Sequence, residues 1–224
     1  MIMQTGNDNT MKDTGASCPL CGSASSFLLH FRDTGYRGCH GCGGVFMEPA
    51  YRPSPEREKE RYEKHNNDIN DRGYRNFVRP LVKMVTRYHG PGERGLDFGA
   101  GTGPVAASLL QEQGYDISLY DPFFCNDPGK LEVKYDFIIC CEVMEHFHDP
   151  AGEFRLLRSL LNTGGNLFCM TGLLLPGTDF KKWWYKNDET HVFFYTPESI
   201  AWIGENLAFL PEIAGSNLVR FTSV

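Results

Sequence analysis

The sequence predicts an α/β fold: a largely parallel sheet between helices, preceded by a small cysteine-bearing module. Three observations carry that prediction. From residue 94 onward the order runs strand, helix, strand, then strand, helix, strand. The first strand turns into its helix through "GAGTG", and two Cys-x2-Cys pairs stand ahead of the whole array.

The 224 residues, 41% of them hydrophobic, suffice for one substantial core and a small extra module. No apolar run approaches the ~20 residues that span a bilayer. The polar opening "MIMQTGNDNTMKDTGAS" lacks the apolar centre of a signal peptide, so a cytoplasmic protein without membrane attachment is expected. The formal charge of -6 is uneven: residues 1 to 94 carry 14 Lys and Arg against 11 Asp and Glu, residues 95 to 224 carry 8 against 17. The larger part would repel nucleic acid.

Cys18, Cys21, Cys39 and Cys42 lie in "CPLCG" and "CHGCG", where the glycine after each pair lets the backbone curl and turn its amides toward the thiolates. The pattern predicts a tetrahedral zinc site, structural because four cysteine ligands leave no open position. Disulfides are the alternative, disfavoured by the lack of a secretory signal. The metal would hold together a zinc ribbon over residues 16–50, after a tail at 1–15; a segment that small cannot form a core alone. Cys140, Cys141 and Cys169 sit in apolar runs and read as packing residues.

A charged connector over 51–93 follows, with a solvated helix near 55–65 and another over 74–88. Phe77, Leu81, Val82, Val85 and Tyr88 are expected on one face of the second, although Pro80 interrupts it. Within 94–224, "RGLDFG" is the first strand, and Pro104 opens a helix with Val105, Ala106, Leu109 and Leu110 inward. "DISLYD" and "YDFIICC" are the next strands; Asp149 caps a helix begun by Pro150, and "NTGG" turns into "NLFCMT". Thr196-Pro197 starts a further helix, and "LAFL" with "NLVRFTSV" makes a final antiparallel pair.

Gly99, Gly101 and Gly103 let the backbone approach a ligand closely while helix N-terminal amides face it. The spacing G-x-G-x-G differs from the G-x-G-x-x-G of dinucleotide folds. Asp121, at the end of the next strand, can accept both hydroxyls of a ribose; Asp97 can accept from an ammonium group or anchor the loop.

"GLDFGAGTGPVAASLLQEQGYDISLYDP" followed by "YDFIICCEVMEHFHDPAGEFRLLRSLLNTGGNLFCMT" resembles the class I S-adenosylmethionine-dependent methyltransferases, over roughly residues 94–224. The resemblance implies a Rossmann-like seven-stranded sheet with S-adenosylmethionine lying across the carboxyl ends of its first strands. By position, the loop of Gly99, Ala100, Gly101 and Gly103 would pass beside the methionine part, Asp121 would hold the ribose, and Glu142 would sit near the sulfonium. Pro122, Phe123 and Phe124 would offer an apolar adenine pocket. One departure stands out: only 14 residues separate Asp121 from Asp136, so the intervening helix and strand must be abbreviated. A dehydrogenase is the alternative for the fold, disfavoured by the glycine spacing.

"EVMEHFHDP" leaves its strand at the carboxyl-end rim, where this fold places its sites. Glu142, Glu145 and His146 share one face if a helical turn begins at Glu142. The pattern is similar to that of ubiquinone-pathway O-methyltransferases and of methyltransferases of the terminal ribose of small RNAs. That similarity implies that Glu142, Glu145, His146 and the later His191 hold a divalent cation such as Mg2+, which binds acceptor hydroxyls. The preferred expectation is metal-free, with His146 hydrogen-bonded in place, Glu145 capping local amides, and His146 or His191 serving as general base. The expected reaction is methyl transfer to a small molecule, at oxygen.

Trp183, Trp184, Tyr185, Phe193, Phe194 and Tyr195 form an aromatic belt after the fifth strand, part substrate wall and at least half packing. Of Tyr62, His65, Asn66, Tyr74 and Arg75, just ahead of the core, one or two are expected to contact the cofactor. A different class of function is a zinc-ribbon module that grips nucleic acid or protein through Arg32, Arg37 and Arg52, beside a non-catalytic domain. Three spaced arginines make a poor nucleic-acid patch. No sequence feature selects an acceptor or an oligomeric state.

Overall fold

The computed structural model describes residues 15–64 and 68–224; apart from Gly15, the expected tail at 1–15 lies outside the described residues, as do His65 and Asn66. Strands β1 (Ser25–Phe31), β2 (Thr34–Cys39) and β3 (Val45–Met47) form an antiparallel meander. Helix α1 (Pro55–Glu63) is capped by Ser54, whose side chain accepts from Arg57 N, and α2 (Arg72–Tyr88) by Asp71, which accepts from Tyr74 N. The helix α2 runs through Pro80 and buries Val78, Leu81, Val82 and Val85, the i, i+3, i+4, i+7 stripe. Phe77 and Tyr88 are off that stripe, 42% and 38% exposed. Each step along a helix turns the side chain by about 100°, and Val78 rather than Phe77 completes the face.

The chain continues through β4 (Arg94–Phe98), α3 (Val105–Gln111), β5 (Asp116–Tyr120), β6 (Tyr135–Cys141), α4 (Pro150–Leu160) and β7 (Leu161–Met170). It ends with β8 (Phe193–Phe194), α5 (Pro197–Asn206), β9 (Phe209–Ala214) and β10 (Leu218–Ser223). The main sheet has the order β5-β4-β6-β7-β10-β9, the first four parallel and the last two antiparallel. It has six strands, not the expected seven. The short segment after β5 is taken up by an Asp121–Cys125 bridge and a 3-10 turn at Pro128–Leu131, leaving no length for another strand, so β5 is the sheet edge.

Two further expectations shift. "NTGG" lies inside β7 and bulges out where its register with β6 jumps from Tyr135/Leu161 to Phe137/Asn166. The last antiparallel pair begins at Phe209 because Ala208, at φ 58°, breaks the extended path.

On one face of the sheet α2 and α3 bring Val82, Val85 and Leu110 against Phe137 and Phe168. On the other, α4 and α5 bring Leu157 and Ile203 against Ile138 and Val219. This three-layer arrangement lines up the carboxyl ends of β4, β5, β6 and β7 on one rim. β8 lies outside the main sheet: Phe193 pairs with Phe46 and Phe194 with Val45, giving the ribbon a four-stranded sheet β1-β2-β3-β8. Among the described residues, no helix is long and apolar enough to cross a membrane.

Candidate functional site

The turn after β4 requires glycine. Gly99 and Gly101 have φ of 79° and 61°, and a Cβ on Gly99 would stand 2.6 Å from a Val143 methyl carbon. Asp121, buried at the end of β5, ties the turn down: Oδ2 accepts from Gly101 N at 2.9 Å, and Oδ1 from Phe123 N at 2.8 Å and Phe124 N at 3.1 Å. A carboxylate accepts about four hydrogen bonds, so one acceptor direction remains. Asp97 is buried at the end of β4 and accepts from the amide of Ala107, in the first turn of α3, where Pro104 supplies no side-chain cap. Burial, and then the Asp121 carboxylate, push the Asp97 carboxyl up to about 7.

A cavity of about 830 Å³ runs along this rim. Gly99 to Gly103, Asp97, Asp121, Pro122 and Glu142 line it, with Phe123, Phe124, Tyr62 and Tyr74 around them. Arg75 is not a wall residue; it forms an ion pair with Glu112 of the neighbouring helix at 2.6 Å.

Glu142 adopts φ 54°, a left-handed conformation that costs about 1 kcal/mol or more in a residue with a Cβ. No helical turn begins there; the turn is a 3-10 one at Met144–His146, anchored by Tyr195 Oη donating to Met144 O at 2.9 Å. Glu145 is fully buried and is no cap for local amides. Thr171 Oγ1 donates to its Oε2 at 2.8 Å and Tyr185 Oη to its Oε1 at 2.5 Å. Tyr185 Oη also lies 3.1 Å from Glu142 Oε2. One phenol proton serves one short bond; with it on Glu145, the Glu142 contact is attractive only when Glu142 carries a proton. Burial and the neighbouring Glu145 push the Glu142 carboxyl up to about 9, the direction that favours this proton.

His146 Nδ1 is 2.8 Å from Thr190 O, and His191 Nδ1 is 2.7 Å from Tyr185 O. A carbonyl only accepts, so each Nδ1 carries the hydrogen, and a neutral ring in this orientation presents its lone pair at Nε2. Those Nε2 atoms stand 3.9 and 4.0 Å from Glu145 Oε1. Burial holds the His191 pKa below its ordinary value, which keeps that ring neutral. Glu145, His146 and His191 thus offer three acceptor atoms within 4.8 Å of one another, a donor set suited to a divalent cation. Glu142 stands outside this group, so three of the four residues in the expected set converge.

In the ribbon, Cys18 and Cys42 Sγ are 3.7 Å apart and Cys21 and Cys39 Sγ 3.3 Å. A disulfide needs about 2.05 Å; four thiolates about 2.3 Å from a shared ion fit these separations. The amides of Gly41 and Cys42 face Cys39 Sγ at 3.3 and 3.4 Å, and Gly22 and Gly43 take left-handed φ of 73° and 71°. These four could hold zinc.

The aromatic belt divides. Phe193, Phe194 and Tyr195 are fully buried packing residues, whereas Tyr185 and the 70%-exposed Trp184 line the cavity. Two of the three arginines are committed within the fold, Arg37 to Glu48 and Arg52 to His148 O, and Arg32 is a single exposed cation over Phe31. That leaves the nucleic-acid or protein-gripping alternative without support. Sequence reasoning missed Thr171 and the bridging role of Tyr185; the position of Thr171 directly after β7, on the same rim, was the available signal.

Residues 70–209 match a family model described as a methyltransferase domain. A ubiquinone biosynthesis O-methyltransferase of Aeromonas salmonicida (strain A449) is 26% identical over 125 residues, 52% of this chain and 52% of that protein. One of the same name from Serratia proteamaculans (strain 568) is 31% identical over 77 residues, 34% of this chain and 32% of its own. The chain therefore spans about half, or less, of the length of the curated relatives it matches. The 1,6-didemethyltoxoflavin-N1-methyltransferase of Burkholderia thailandensis, solved with 1,6-didemethyltoxoflavin and S-adenosylhomocysteine, superposes with a TM-score of 0.54 at 14% identity, covering 88% of this chain and 97% of that one. At that identity the likeness is one of fold. With a match over most of the α/β core and a glycine turn tied to the carboxylate rim, the chain belongs to the methyltransferase domain family.

Proposed function

We propose that the protein is an S-adenosylmethionine-dependent methyltransferase that transfers a methyl group to a hydroxyl of a small molecule. The observation that carries this is one cavity joining the glycine turn and Asp121 to two imidazoles whose Nε2 lone pairs face Glu145. The names of the O-methyltransferase relatives and the product bound by the toxoflavin enzyme support it. The donor arrives with its methyl group activated on a sulfonium, so the protein must mainly align the acceptor and exclude water. In this reading Asp121 takes the ribose, Phe123 and Phe124 flank the adenine, and Asp97 accepts from the methionine ammonium. An acceptor hydroxyl must shed its proton as the carbon–oxygen bond forms, and in a metal-free site His146 or His191 Nε2 receives it. A divalent cation on Glu145, His146 and His191 would instead occupy both Nε2 lone pairs and lower the pKa of that hydroxyl, so that its proton would leave to solvent water. We favour this form over the metal-free one, because three convergent acceptors call for a positive charge among them. Zinc in the four cysteines completes the organisation: ribbon 16–50, connector 51–93 and catalytic domain 94–224.

Calorimetric titration with S-adenosylhomocysteine tests the proposal. Saturable binding is expected for the native protein. Asp121→Arg should weaken it by at least about 10-fold, since a charge-assisted hydrogen bond of about 1.5–3 kcal/mol is lost and the Gly101 turn loses its tie. Native protein that binds no S-adenosylhomocysteine, or an Asp121→Arg variant that binds it undiminished, overturns the proposal.

Asp97 gives the ligand-free protein a pH signature. Its carboxyl titrates ordinarily at 3.8 and in the fold at about 7, so over that window the folded state holds a proton that the unfolded chain has released. The associated stability is complete below the ordinary value and lost as pH rises through about 7. Thermal midpoints should fall across that window and fall less steeply in Asp97→Asn; parallel profiles for the two proteins would rule out this assignment.

A further inference from the structure

Both imidazoles facing Glu145 are held by main-chain carbonyls of one short segment, Tyr185 O and Thr190 O. At its downstream end this segment runs into β8, where Phe193 and Phe194 pair with Phe46 and Val45 of the ribbon. Val192, next to His191, is bonded on both sides: its carbonyl accepts from Met47 N at 2.9 Å and its amide donates to Glu145 O at 2.9 Å. At the upstream end, the buried Lys186 donates to Trp183 O at 3.0 Å and sets its ammonium 3.7 Å from the ring centroid of Phe31 in β1. Such a contact is stronger when desolvated. Tyr36 of β2 packs edge-on against Phe194 at 5.9 Å, and Phe46 stacks on Phe193 at 6.5 Å. The ribbon thus grips the segment at both ends.

We infer that the ribbon is a positioning element of the candidate active site: its sheet, extended by β8, fixes the 185–191 segment and thereby sets where His146 and His191 point. This rests on those imidazoles being the working groups of the function proposed above. The cofactor end of the cavity hangs from β4, β5 and α3, and neither of those strands pairs with the ribbon's sheet. A ribbon that merely stabilised the protein would affect both ends of the cavity alike. One that positions the histidines affects a single end.

Two substitutions separate these roles. Gly44→Ala, in the ribbon, would place its Cβ 2.5 Å from Phe193 Cζ and push on β8 without touching a histidine. Lys186→Met keeps the stem and removes the ammonium. Hydrogen–deuterium exchange would compare residues 185–195 with 97–104, and calorimetry would give the affinities for Mn2+ and for S-adenosylhomocysteine. Faster exchange confined to 185–195 is expected, with Mn2+ affinity down about 10- to 100-fold, the range for losing an outer-shell support, and S-adenosylhomocysteine affinity unchanged. If the native protein binds no Mn2+, the cation form of the proposed function falls and the exchange contrast alone decides the inference. Folded variants with native exchange at 185–195, or a parallel weakening of both ligands with faster exchange in both segments, overturn it.

Discussion

Glu145→Ala should abolish Mn2+ or Mg2+ binding at the cavity rim, with a loss of affinity beyond the roughly 100-fold that removing even an outer-shell partner can cost. Glu145 is the only carboxylate among the three convergent groups, and the two imidazoles left behind are both neutral donors with weak claims on a hard cation. The fold should tolerate the change. Thr171 and Tyr185 lose a buried acceptor, but the same substitution removes a fully buried carboxylate that is itself expensive to desolvate. Manganese paramagnetic resonance titrations of the native and variant proteins read the effect. Equal binding by both would move the cation elsewhere, and no binding by either would return the site to a metal-free mechanism with an imidazole base.

Cys42→Ser should cost both the metal and much of the stability. Cys42 is almost completely buried beside Cys18, and a serine there neither ionises nor binds zinc as a thiolate does. Structural zinc supplies about 10–16 kcal/mol of apparent binding free energy in isolated modules. A loss of even about 4 kcal/mol lowers the midpoint of a chain this size by about 8–16 °C. Elemental analysis should find zinc in the native protein and little or none in the variant. A variant with native metal content and native midpoint would refute a structural metal.

Much of the architecture was legible because local rules agreed with the tertiary fold. Asp149 before Pro150 and Thr196 before Pro197 marked helix starts that the structure reproduces, and the alternation after residue 94 gave the parallel strands. The absence of a seventh strand is half visible in the sequence: the segment after Asp121 is short, whereas the count of seven is implied by the resemblance alone. Phe77 misled because it is apolar yet one step off the buried stripe, turned toward the cavity instead. The meeting of Glu145 with Thr171, Tyr185 and His191 was illegible for a different reason. It depends on long-range placement of three loops, and nothing in "EVMEH" discloses that Glu142 sits in a left-handed conformation that denies it a helical turn.

The pairing of β3 with β8 also bears on how the chain is made. The ribbon's partner strand lies most of the chain's length downstream, so during synthesis the cysteine module must wait with one strand edge and the ring of Phe46 uncovered until Phe193 and Phe194 have left the ribosome. Early metal capture by the nascent chain would protect that interval. It would make zinc supply a determinant of yield as well as of finished stability.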